Sequence, residues 1–112
     1  MLLRIWRTGV DPHRWPEYAS FEQEHSLPMF RQQPGCRGVL FLRTTDGSGA
    51  AALTLWEDQG AIERLANSPT YKATVARLVA TGLLIGSQSI EVFRVATGAL
   101  ADLPGVEWFD HP

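Results

Sequence analysis

Two stretches of this chain carry side chains suited to chemistry, one near residue 20 and one at the first apolar run. Glu22 and His25 stand three residues apart, with Tyr18 one turn earlier. Residues at that spacing are neighbours on a helix face. A carboxylate beside an imidazole can fix its tautomer and tune its pKa, the ingredients of a general base. The other reading is an amphipathic helix with polar members at the edge of the core. Of the three histidines, His13 falls in a turn and His111 in the C-terminal tail, so His25 is the first choice for a base. No HxH or HxxxH pair offers metal-ligand spacing. No Gly-rich loop precedes a helix to cradle a phosphate. Arg4 shares a strand face with Trp6. If that face is internal, its charge needs a partner, either a ligand or Glu91 across the sheet.

The elements that must position these groups centre on residues 53–58, Leu-Thr-Leu-Trp-Glu-Asp, an apolar strand that runs into a helix. Residues 2–8 read as a first strand, with Leu3 and Ile5 on one face and Arg4, Trp6 and Thr8 on the other. Asp11 suits a helix N-cap with Pro12 at the first helical position. A stripe of Trp15, Tyr18, Ala19, Glu22, His25 and Met29 follows at spacings of three and four. Pro28 is expected to end that helix near Ser26, with a short turn from Met29 to Gln33 and a stop at Pro34-Gly35. Residues 38–44 form a second strand and residues 50–56 a third, joined by Asp46-Gly47-Ser48-Gly49. A second helix is expected over residues 59–66, restarting at Ser68-Pro69 and running to about Ala80. Residues 89–95 make the fourth strand. The order β-α-β-β-α-β predicts an α+β, ferredoxin-like sandwich in one domain, residues 1–95, followed by a tail, residues 96–112.

Composition narrows the rest. A hydrophobic share of 45 % with 20 % charged residues is an ordinary globular balance. A net charge of −2 argues against a nucleic-acid surface. The lone Cys36 allows no internal disulfide and fits a reducing, cytoplasmic setting, with the thiol buried as a small apolar group. No signal-peptide pattern opens the chain. The longest weakly polar run, residues 78–85, is far short of the roughly 20 residues a membrane span needs. The second strand is apolar on both faces through Val39, Leu40, Phe41 and Leu42, yet two helices cover only one face. A homodimer packed sheet to sheet is therefore expected, with the tail clasping the partner subunit through Trp108 and Phe109.

Ile5-Trp6-Arg7, the Pro34-Gly35-Cys36-Arg37-Gly38 turn, Leu55-Trp56-Glu57-Asp58 and Ser68-Pro69-Thr70-Tyr71 together resemble the antibiotic-biosynthesis-monooxygenase-like superfamily of dimeric α/β barrels. The resemblance covers about residues 1–95. It implies a small-molecule pocket and, in the cofactor-free oxygenases of that superfamily, an apolar lumen that deprotonates a phenol and lets the carbanion meet O2. On that reading the protein is a monooxygenase without metal or flavin, acting on an aromatic or polyketide-type ligand. His25 and Arg4 would be catalytic, and Trp6, Tyr18, Glu22, Phe41, Trp56 and Tyr71 would contact substrate. Trp6 and Phe41 could equally be dimer-interface core, and Trp56 and Tyr71 packing residues. Haem-degrading members carry an Asn, a Trp and an iron-ligating His where this chain has Trp6, Leu65 and Val75, which argues against that branch. The alternative of another class is a non-catalytic ligand-binding or accessory protein.

Overall fold

In the computed structural model, which describes residues 1–109, strand β1 (Leu2–Val10) is the inner strand on which the sheet is built. It pairs antiparallel with β3 (Gly49–Trp56) on one side and with β4 (Leu84–Arg94) on the other. The edge strand β2 (Cys36–Arg43) pairs antiparallel with β3, giving the order β2-β3-β1-β4. Register decides which side chains share a face. Arg4 lies opposite Thr54 and Val92, while Trp6 lies opposite Ala52 and Ile90, with Phe41 beyond Ala52. The helices cover this face over β1, β2 and β3 and leave Ile90 and Val92 of β4 exposed. Leu3, Ile5, Leu40, Leu53 and Leu55 alternate onto the other.

The first helical segment is continuous where a break at Pro28 is predicted. Helix α1 (Trp15–Phe21) passes into a π turn (Glu22–Ser26) and then into α2 (Leu27–Arg31). The Leu27 amide donates to the Glu22 carbonyl, one residue farther back than in an α-helix. That wider turn gives the Pro28 ring room, so its missing N–H costs one bond and not the helix. Nor does Asp11 cap the helix. Its carboxylate accepts from the His13 amide at 3.0 Å in the preceding turn, and the N-cap position falls to Arg14.

The second helical unit follows the expectation closely. Asp58 caps α3 (Gln59–Asn67) by accepting from the Ala61 amide at 2.9 Å. The Ser68 hydroxyl caps α4 (Pro69–Ala80) by accepting from the Tyr71 amide at 3.3 Å. Strand β4 begins five residues earlier than its apolar pattern suggests, at Leu84 against residue 89. A bulge opposite Arg7 and Gly9 breaks the alternation, with Gly86 at φ +73°.

Between sheet and helices lie two apolar clusters. One holds Val10, Tyr18, Phe21, Leu78 and Leu83; the other holds Met29, Phe30, Cys36, Trp56 and Leu65. The tail of this single chain lies along the opposite face, where Leu100, Leu103, Val106 and Trp108 approach Leu40, Leu53 and Leu55. Glu107 reaches round the β2 edge to within 3.8 Å of Arg31. His111 lies outside the described residues. Among those described, no helix is long and apolar enough to cross a membrane.

Candidate functional site

A cavity opens between the two clusters, bounded by members of both, Tyr18 and Leu78 on one side and Met29 and Phe30 on the other. It holds about 470 Å³ of empty space with its open mouth included, but the centre of a water molecule can roam only about 40 Å³ of it. The shape is a slot. Strand β1 sends in Arg4 and Trp6, β2 sends Phe41, the first helix sends Tyr18 and Glu22, and α4 sends Tyr71. Six of the residues singled out from the sequence therefore meet in one place.

Arg4 is 5 % exposed. One Nη2 hydrogen goes to the Tyr71 hydroxyl at 2.9 Å, and the guanidinium lies 5.6 Å from the centre of that ring. Among the described residues no carboxylate is within salt-bridge distance of it. Glu91, weighed above as its partner, is opposite Ile5 on the other face and pairs with Arg7 at 3.0 Å. The Arg4 backbone is tied down as well, its carbonyl accepting from the Thr54 hydroxyl at 3.3 Å.

Glu22, 6 % exposed, is held by Arg43 from the end of β2. Arg43 Nη1 donates to Oε2 at 3.0 Å and Nη2 donates to Oε1, a two-pronged pair. The same guanidinium lies 4.7 Å from the Trp15 ring centre and 5.2 Å from that of Tyr18. Burial pushes the Glu22 carboxyl above the ordinary carboxylate range, and Arg43 pulls it part of the way back. Burial also raises the Tyr18 phenol strongly, with the Glu22 charge adding to the rise.

Two expected members are elsewhere. His25 is not in the slot. Its ring rests on Phe21 with centroids 4.8 Å apart, and Arg77 Nη1 donates to its Nδ1 at 3.2 Å. It faces a shallow outer groove beside Pro16, Ser20 and Glu24. The π turn is the cause: its wider pitch brings Ser26 under Glu22, both buried, and carries His25 off that face. Trp56 is fully buried and its indole N–H donates to Thr54 Oγ1 at 2.7 Å. Through Thr54 it props the strand that carries Arg4, as a positioning residue without a surface in the slot.

Sequence reasoning missed Ser26, Met29, Phe30, Thr74 and Val75, which also line the cavity. Met29 stood in the stripe, and Ser26 and Phe30 follow Glu22 at steps of four, but the break expected at Pro28 concealed that they continue its face. Ser26 is 8 % exposed and its hydroxyl has no hydrogen-bond partner among the described residues. No histidine is among the residues that line the slot, and Val75 is one of them. The residues present do not fit haem.

A family profile described as antibiotic biosynthesis monooxygenase matches residues 17–77. A search of curated proteins finds no match. Among solved structures, the Mycobacterium tuberculosis protein Rv0793 superposes with a TM-score of 0.71 at 19 % identity, covering 88 % of this chain and 98 % of that one. A mutant of SnoaB, a cofactor-independent oxygenase from Streptomyces nogalater, gives 0.70 at 22 %, covering 87 % and 94 %. A conserved protein from Methanosarcina mazei gives 0.69 at 17 %, covering 84 % and 92 %. At these identities the structural likenesses speak for the fold. With more than half of its length matched by the family profile, the chain belongs to the antibiotic biosynthesis monooxygenase family.

Proposed function

We propose that the slot binds a flat aromatic, polyketide-type molecule and that the protein is a cofactor-independent monooxygenase acting on it as a homodimer. The observation that carries this reading is a buried cation, Arg4, bonded to the half-buried Tyr71 phenol, in a largely apolar slot that also holds the buried carboxylate of Glu22. Such a site can bind an oxygen-bearing ring, take a proton from a ring carbon and stabilise the charge that passes to the ring oxygen in a low-dielectric setting. Glu22 replaces His25 as the base, since it lines the slot and its carboxyl is raised by burial. Each of its oxygens keeps a lone pair beyond the one given to Arg43. For an anthrone-type CH2 the steps balance with O2 as the only oxidant. Glu22 takes one proton, and the carbanion forms a C–O bond with O2. The peroxide takes that proton back from Glu22; its O–O bond then breaks as the distal oxygen leaves as water with the remaining C–H hydrogen, and the ring carbon becomes a carbonyl.

Oxygen uptake by metal-free protein with a panel of anthrones, hydroquinones and dihydroxynaphthalenes tests the proposal. Uptake above the autoxidation background should fall by about 10² to 10⁴ in Glu22→Gln and persist in His25→Ala. Uptake lost in His25→Ala but kept in Glu22→Gln would overturn the assignment of the base. The capture of both Glu22 oxygens by Arg43 favours a second reading, binding without turnover. Tight ligand binding with no oxygen uptake across the panel would select it.

A further inference from the structure

Two charged groups line the slot, Arg4 and Glu22, and the charge of Glu22 is met from outside it. Glu22 and Arg43 form a two-pronged pair, which leaves Arg4 as the uncompensated charge. Of the five N–H donors of an Arg guanidinium, one is used on Tyr71 and none of the others meets a protein acceptor among the described residues. An exposed arginine could leave its donors to bulk water, but at 5 % exposure Arg4 is cut off from it. A buried cation without a counter-charge is costly to hold. The Tyr71 hydroxyl, accepting from Arg4, has its own hydrogen left to give. Ser26, also buried and without a partner, supplies a further hydroxyl in the same slot.

We propose that the ligand enters as an anion, an aromatic molecule bearing an ionised oxygen that completes the coordination of Arg4 and takes the Tyr71 hydrogen. A ring carboxylate and an ionised phenol or enol present the same chemistry to this pair. The proposal deepens the reading above and rests on it only in placing the ligand in this slot; it does not require turnover. Neutral polyketide rings of equal size are selected against because they leave Arg4 unanswered. Trp6 and Phe41 supply the ring contacts, and the charge decides which rings stay.

The probes are 2-naphthoate and its neutral isostere 2-naphthamide, titrated calorimetrically, and 4-nitrophenol, followed by its phenolate absorption as pH is varied. The protein should bind naphthoate at least about tenfold more tightly than naphthamide. Arg4→Met should abolish that preference, and Arg4→Lys should keep part of it, which guards against a merely structural loss. The pKa of bound nitrophenol should fall by about one unit or more in the wild type and not in Arg4→Met. A preference for naphthoate without the nitrophenol shift identifies the anion as a carboxylate; the shift identifies a phenolate or enolate. Equal binding of acid and amide, a preference that survives Arg4→Met, or failure of both naphthalene probes to bind would each overturn the proposal. Anion preference without oxygen uptake would overturn only the oxygenase reading.

Discussion

Trp56, Thr54 and Arg4 form a short relay that shows how single residues are spent in this protein. The indole fixes the Thr54 hydroxyl, and that hydroxyl fixes the backbone of the strand bearing Arg4, whose charge meets no carboxylate among the described residues. Cys36 sits in the same cluster with 0 % exposure, and burial pushes its thiol up to about 11. At pH 8 only about one thiol in a thousand would then be ionised, and the thiolate is the reactive form. Ellman's reagent should therefore label the native protein at least about a hundredfold more slowly than a free cysteine, with full labelling on denaturation. Rapid labelling of folded protein would show a reactive thiol and an open core at that end. The burial of Cys36 was legible from residue type alone, because a free cysteine is usually buried. The exile of His25 was not: residue types at a spacing of three mark a shared face only if the helix keeps its α pitch, and nothing in Glu22–Ser26 announces the wider turn.

The starts of α3 and α4 and the β2–β3 turn behaved as their sequences predict, while the Asp11 cap and the elements that rely on tertiary context did not. Asp58, Ser68 and the Asp46-Gly47-Ser48-Gly49 turn place donors and acceptors within four residues of one another, so local chemistry settles them. The bulge that lengthens β4 depends on its pairing with β1, which no local pattern encodes. The β2–β3 hairpin also allows a test by pH. Asp46 accepts from the Ser48 hydroxyl at 2.7 Å, the Ser48 amide at 3.0 Å and the Thr44 hydroxyl at 2.8 Å. These bonds hold its carboxyl down to about 2, the Ser48 hydroxyl contributing most. A folded pKa below the unfolded value of about 3.9 means that the contribution is present above pH 4. It is lost as pH falls from there towards 2. Because the group is at the surface the effect is modest: Asp46→Ala should lower Tm at neutral pH by at most about 4 °C. The gap between wild type and variant should close over that acid window. A gap independent of pH would mean that the turn is held by its backbone alone.

At the scale of the molecule, the sheet presents more apolar surface than one chain covers. The tail shields the β2–β3 half of the open face, where Leu40, Leu53 and Leu55 lie. Strand β4 is left bare on both sides, with Ile90 56 % exposed and Val92 43 % on the helix-facing side and Phe93 44 % on the other. Scattered apolar residues are normal at a surface, but Phe93 beside Leu3 on the open face, with Ile90 and Val92 on the reverse of the same strand, leaves β4 with apolar groups that ask for a partner. A second copy laid across β4 and β1 would meet the same need in both chains at once, the property of a two-fold interface. Sedimentation velocity should then show a dimer at micromolar concentration. Phe93→Glu, which puts a charge on the side of β4 away from the slot, should raise the dissociation constant at least about tenfold, the equivalent of 1.4 kcal/mol, with helical content unchanged. A wild-type monomer at those concentrations would remove the dimer from the proposed function. A dimer indifferent to Phe93→Glu would move the interface to the half of the face that the tail now covers, and removal of residues 96–112 should in that case tighten it.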